Sequence, residues 1–175
     1  MTALVAWMTG LSGAGKSTIA EKTAALLEEM GNKVLVLDGD AVRSKISPAL
    51  GFTREDILEN DRRLISLCLE AVSDYDVILV PKISPFKEQR AVTRQNLGEG
   101  FVEVYVRASI ETVSTRDPKG LYKDSREGRL KGLIGVAPEV PYEPPESPEL
   151  VLDTETSDPD SCARTLCDHL LAWRS

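Results

Sequence analysis

Gly10-Leu11-Ser12-Gly13-Ala14-Gly15-Lys16-Ser17, followed by Thr18, is the stretch from which the rest of this 175-residue chain is read. An apolar run, Ala3 to Met8, precedes it, and Thr18 to Met30 carries apolar residues at helical spacing. The stretch therefore fits G-x-x-x-x-G-K-[ST] between a strand and a helix, the context this motif requires. Glycines let the backbone wrap a pyrophosphate so that successive N–H groups and the helix N-terminus face the anion. Lys16 is placed to reach the β- and γ-phosphates, and the Ser17 hydroxyl to bind Mg²⁺. Gly10, Ser12, Gly13, Ala14, Gly15, Lys16, Ser17 and Thr18 are thus candidate nucleoside-triphosphate-binding residues. A glycine-rich turn matching by chance is the competing reading, and four fixed positions in the right context weigh against it.

Composition narrows the partners. Asp plus Glu number 28 against 21 Lys plus Arg, a net charge of −7. Nucleic-acid-binding domains usually present a basic face, so no nucleic-acid partner is expected. Cys68, Cys162 and Cys167 lack metal-ligand spacing and fit unpaired thiols in a reducing cytosol. The first strand begins almost at once, leaving no room for a leader, and no apolar run approaches the roughly twenty residues that span a bilayer. A soluble cytoplasmic protein without a membrane partner is expected.

In order, a second buried strand is expected over Val34 to Leu37, ending in Asp38-Gly39-Asp40. A loop surrounds Gly51-Phe52. Thr53 and Asp56 resemble a capping box and open a long amphipathic helix to about Ser73. Val77 to Val80 reads as the third strand, Lys87 to Leu97 as a basic helix and Phe101 to Val106 as the fourth strand. Ser109 caps a short helix to Thr115. Arg116 to Val136 is polar, without core periodicity, and a Pro-rich loop precedes a fifth strand, Glu149 to Leu152. A closing helix runs from Ser157-Asp158 to Trp173. Such alternation predicts one α/β domain over residues 1–175, a mainly parallel five-stranded sheet with helices on both faces in three layers.

Ligands bind beyond the carboxyl ends of strands in such sheets. Asp38 and Asp40 stand there, where carboxylates can organise Mg²⁺ or accept a hydroxyl proton. A turn with a helix cap is the alternative. The cationic segment from Arg116 and Lys119 through Arg126, Arg129 and Lys131 could close as a mobile lid over about residues 116–136. Composition alone favours a solvated surface helix. Arg43, Arg62 and Arg63 are candidate clamps for an acidic second substrate. Phe52 serves equally as a stacking surface or a core aromatic. His169, the only histidine, lies in the last helix away from these strand ends and takes no catalytic role.

Together these residues resemble the adenylylsulfate kinase family, P-loop NTPase-fold enzymes that move the γ-phosphate of ATP to the 3′-hydroxyl of adenosine 5′-phosphosulfate. The resemblance runs from Trp7 to Asp153. Besides the phosphate loop it rests on Leu37-Asp-Gly-Asp40 with Val42-Arg43, Leu50-Gly-Phe52, Glu59-Asn60 with Arg62-Arg63, and Ile83-Ser-Pro85. Further along it rests on Arg116-Asp-Pro-Lys-Gly-Leu-Tyr-Lys123, Lys131-Gly132 and Pro141-Tyr-Glu-Pro-Pro145. It implies Mg²⁺ with ATP as donor, catalytic roles for Lys16, Asp38 and Asp40, and a metal site at Ser17 and Asp38. Arg116 joins the ATP side. Asp38, Arg43, Phe52, Asn60, Ile83, Ser84, Lys119 and Leu133 fall at the acceptor, with Phe52 stacking on its base and Ser84 matching a serine associated with a phosphoenzyme label. Homodimers are common in the family.

Departures from the family pattern cluster on the acceptor side. Ala41 replaces an Asn, Ile57 an arginine that holds the acceptor's anionic end, and Leu133-Ile134 the Phe-Thr whose Phe completes an adenine sandwich. Pro81-Lys82 replaces a serine- or threonine-containing pair, and Lys82 or Arg54 could restore the lost charge from another direction. The leading expectation is an adenylylsulfate kinase. The alternatives are the same machinery acting on another anionic nucleotide or metabolite, and a nucleotide-binding module without turnover.

Overall fold

The computed structural model describes residues 3–46 and 49–173; the ends of the expected 1–175 domain lie outside them. Strands form where aliphatic residues run unbroken: β1 (Leu4–Thr9), β2 (Val34–Val36), β3 (Val77–Pro81), β4 (Phe101–Arg107) and β5 (Leu150–Asp153). All pair in parallel in the order β2-β3-β1-β4-β5, with Ala6 opposite Leu79 on one side and Val102 on the other. Every residue of β1 is buried, as a central strand covered on both faces requires. The strand's period of two divides the core. Leu4, Ala6 and Met8 join Leu79, Val104 and one set of helical side chains, while Val5 and Trp7 join Ile78, Val80 and another.

The first set comes from α1 (Lys16–Glu29), through Ile19 and Leu27, and α7 (Pro159–Trp173), through Leu166 and Leu170. The second comes from α3 (Arg54–Ala71), through Leu64, Ile65 and Cys68. These two sets make the outer layers of an α/β/α sandwich. At the start of α3 the Thr53 hydroxyl accepts from the Asp56 amide at 3.2 Å, the N-cap half of the expected capping box, and it donates to the Asp56 carboxylate at 2.8 Å in place of the box's return bond to the Thr53 amide. Helix α4 (Lys87–Leu97) spans the expected residues, and α5 (Ile110–Arg116) starts after Ser109, whose Oγ accepts from the Thr112 amide.

Two elements depart from expectation. Helix α2 (Gly39–Ile46) follows Asp38; its eight residues bury only Gly39, too little apolar surface to create a periodicity. The polar segment Arg116–Val136 contains α6 (Leu121–Arg126) and sends Tyr122, Leu133 and Ile134 inward, all at most 9% exposed. These anchors are separated by turns, so they show no helical or strand period. Tyr122 Oη donates to Ser12 O at 2.8 Å, tying the segment to the phosphate loop. No described helix is long and apolar enough to cross a membrane.

Candidate active site

The order of the strands reverses direction at β1, so the loop after it opens into the crevice at the carboxyl ends. Gly10 is required where that loop leaves the strand: a Cβ there would lie 2.3 Å from Val106 O. Lys16, in the first turn of α1, turns back over the loop and donates to Gly10 O at 2.9 Å and Leu11 O at 2.8 Å. Burial lowers its pKa to about 8; Asp40 and Asp38 pull it back up, and Lys119 and Lys82 push it further down.

Asp38 sits between β2 and α2 and does two jobs. Its Oδ1 accepts from the amides of Asp40 (3.0 Å) and Ala41 (3.2 Å), capping α2. Its Oδ2 receives the Ser17 hydroxyl at 2.5 Å. The cap is therefore real, and it fixes the carboxylate with one oxygen aimed at the phosphate loop. Asp40, two residues on, accepts from Lys119 Nζ. Burial raises the Asp40 carboxyl, but the hydrogen bond and charge of Lys119, with Lys16 behind it, hold it below the usual carboxylate range.

Two clefts meet here. One of about 370 Å³ runs along the phosphate loop, with Ser12, Gly13, Gly15, Lys16, Ser17 and Thr18 on one wall and Asp38, Lys82, Arg116 and Lys119 around it. Arg116 is steadied on Thr154 through Oγ1 at 3.0 Å and the carbonyl at 2.6 Å. A second, of about 560 Å³, is lined by Arg43, Phe52, Leu121, Leu133 and Ile134. Ser12, Asp40, Ile83 and Lys119 belong to both walls, so a group bound in one cleft abuts a group bound in the other. Phe52 is 60% exposed, with the Arg43 guanidinium 4.4 Å above its ring, which disposes of the core-aromatic reading. Arg43 also donates to Leu50 O and Gly51 O, bracing the loop that presents Phe52.

Some candidates lie elsewhere. Ala14, within the phosphate loop, is fully buried and lines neither cleft. Asn60 is 2% exposed, lines neither cleft, and leaves its Oδ1 without a hydrogen-bond partner among the described residues. Ser84 is fully buried at φ 45°, with its Oγ accepting from Trp7 Nε1 at 2.7 Å and its carbonyl held by Arg90 at 2.6 Å. Neither cleft reaches it. Arg62 and Arg63 pair with Glu59 on α3.

Two of the departures noted in sequence prove to be neighbours. Ile57 and Ile134 pack in one apolar cluster with Phe86 and Val140, so two substitutions that look independent in sequence fit each other. Arg54 lies over the Phe86 ring at 4.3 Å and pairs with Glu88 at 2.6 Å, outside both clefts. Lys82 lies in the phosphate cleft wall, paired at 2.7 Å with Asp61. Asp61 carried no role in the sequence reading. Its signal was an acid in the apolar stripe Ile57, Leu64, Ile65, Cys68 of α3, a position where a buried charge needs a partner.

Comparison with known proteins gives a consistent family. The family model described as adenylylsulphate kinase matches residues 2–153. The adenylyl-sulfate kinase of Clostridium kluyveri is 43% identical over 167 residues, 95% of this chain and 83% of the relative. The structure of the Mycobacterium tuberculosis APS kinase in complex with AMPPNP and APS superposes with a TM-score of 0.92 at 35% identity, covering 97% of this chain and 98% of that one. A hexameric APS kinase from Thiobacillus denitrificans, at TM-score 0.70 and 30% identity, covers 98% of this chain and 29% of that one.

Proposed function

The chain belongs to the adenylylsulphate kinase family, and we propose from that premise that it transfers the γ-phosphate of ATP to the 3′-hydroxyl of adenosine 5′-phosphosulfate, giving 3′-phosphoadenosine 5′-phosphosulfate. The observation that carries the reading is the shared wall of the two clefts, Ser12, Asp40, Ile83 and Lys119. It lets donor and acceptor meet end to end, and phosphoryl transfer is mostly a matter of positioning and charge.

In this reading ATP phosphates take the place of the Gly10 and Leu11 carbonyls as partners of Lys16. Binding the anion restores the ammonium form that burial disfavours. The acceptor lies along Phe52 and Leu133, with Arg43 beside its anionic end. The bond from the β,γ-bridging oxygen to the γ-phosphorus breaks as the bond from the 3′-oxygen forms, and the hydroxyl proton passes to a carboxylate. Asp38 suits that role, because two amides hold one oxygen and leave the other directed at the loop. Arg116 and Lys119 flank the transferring group and offset its charge.

The residues also fit Mg²⁺. Ser17 Oγ would hold the ion, and Asp38 Oδ2, which accepts the Ser17 hydroxyl at 2.5 Å, would orient that ligand from outside the metal shell while staying open to the acceptor hydroxyl. Mg²⁺ is typically held by one or two protein oxygens with substrate phosphates completing its shell. There it would supply positive charge to offset that of the phosphates. The hexameric relative supports self-association, for which a homodimer is the simplest form.

Asp38→Ala tests the chemistry. Its expected kcat for formation of 3′-phosphoadenosine 5′-phosphosulfate, followed by chromatography, falls by about 10²–10⁴-fold, the usual contribution of a general base. Near-normal turnover would remove Asp38 from the mechanism.

A further inference from the structure

Lys82 and Asp61 form the most enclosed ion pair that reaches the site. Their side chains are 11% and 4% exposed, with Nζ 2.7 Å from Asp61 Oδ1. Burying two charges gains little stability over an apolar pair of similar volume, so stability alone does not explain this one. The carboxylate is also poorly satisfied: its Oδ2 has no hydrogen-bond partner among the described residues. Burial pushes the Asp61 carboxyl up, against the opposing pull of Lys82, Gln89 and Arg43.

Lys82 is held at three points. Its amide donates to Met8 O at 3.0 Å, extending the β1–β3 ladder one residue past the strand. Its stem lies on the Asp38-Gly39-Asp40 turn, where a Cβ on Gly39 would meet Lys82 Cβ and Cγ at 3.0 Å each. Its ammonium is anchored by Asp61. An ammonium has three donors, and one neighbouring carboxylate leaves at least one of them for a ligand. The side chain forms part of the same wall as Lys16, Ser17 and Asp38, and its charge is felt by both Lys16 and Asp40.

We propose that Lys82 is a further phosphate-binding residue of this site, a cation presented to the γ-phosphate from β3 and kept in place by buried Asp61. The inference rests on the phosphoryl-transfer reading but not on which acceptor is used. Lys82 thereby adds a second lysine to the cleft that holds Lys16, and Asp61 acts as its positioning residue.

The test compares the affinity of a non-hydrolysable ATP analogue with that of ADP, by titration calorimetry with Mg²⁺ and without acceptor. Lys82→Gln keeps the stem on Gly39 and an amide donor for Asp61 while removing the charge. Its expected affinity for the analogue falls about tenfold or more, with ADP affinity within about twofold of the parent, because only the analogue carries the third phosphate. Lys82→Met/Asp61→Leu, which leaves no unpaired buried charge, is expected to show the same selective loss at a melting temperature within a few degrees of the parent. An unchanged preference for the analogue in either folded variant would overturn the proposal. So would equal losses for analogue and ADP, which would make the pair a scaffold of the turn. Failure of adenosine 5′-phosphosulfate as acceptor would leave this measurement intact, so the two claims fail separately.

Discussion

Lys16 is the residue whose protonation links structure to substrate most directly. Its folded pKa, lowered by burial to about 8 from 10.5, means that the free protein holds it largely neutral above that value. Bound phosphates require the ammonium, so binding must take up a proton in that range and little below it. Calorimetry of Mg²⁺–ATP binding in buffers of different ionisation enthalpy should show proton uptake at about pH 8.5 that shrinks at about pH 7. Uptake independent of pH would contradict the assignment. Ser84 gives the opposite expectation. Its hydroxyl is committed to Trp7 in a fully buried position, so Ser84→Ala should lose about 1–3 kcal/mol in chemical denaturation by orphaning the indole N–H, while kcat stays within a few fold. Loss of turnover in a folded Ser84→Ala protein would show that the hydroxyl enters the chemistry. At this scale the phosphate loop and Asp38 were legible because each is a short, local pattern. Lys82–Asp61 was not, since the partners are 21 positions apart and meet only when α3 packs beside β3.

Among the elements, the segment from α5 through Gly135 lines much of the second cleft. Tyr122 fastens it to Ser12, Leu133 enters the core beside the cleft, and Gly135 closes on Leu11, where a Cβ would lie 2.4 Å from Cδ2. Opening it as a lid therefore means releasing a buried tyrosine and two aliphatic anchors, a larger step than its charged composition suggests. Leu133→Phe adds an aromatic ring to the cleft that the exposed Phe52 also lines. The expected KM for adenosine 5′-phosphosulfate falls by several fold, in line with stacking worth about 1–3 kcal/mol per base, less the strain of fitting a larger ring. A raised KM would mean that Leu133 and Phe52 do not face the same base. Helix α4 and the Thr53 cap of α3 were legible from spacing and a local capping pattern. Helix α2 and the inward side chains of the lid were not, because short helices and turns leave no period to detect.

For the whole molecule, the parallel order β2-β3-β1-β4-β5 gathers residues from five chain segments at one end of the sheet. The phosphate loop follows β1, Asp38 follows β2, Lys82 and Ile83 follow β3, Arg116 ends α5 with Lys119 just beyond it, and Thr154 follows β5. This layout was foreseeable from alternating strands and helices, since parallel strands place all their carboxyl ends on one side. Burial of Ile57 with Ile134 was not, as it depends on how the lid docks against α3 and Phe86. The central claim is transfer to adenosine 5′-phosphosulfate, and the direct measurement is coupled ADP release with ATP and Mg²⁺, set against a panel of cytidine, uridine and guanosine nucleotides as acceptors. Saturable turnover with adenosine 5′-phosphosulfate, well above every other acceptor, is the predicted result. Background release with it alongside strong turnover on another nucleotide would contradict the claim and assign the same machinery a different acceptor.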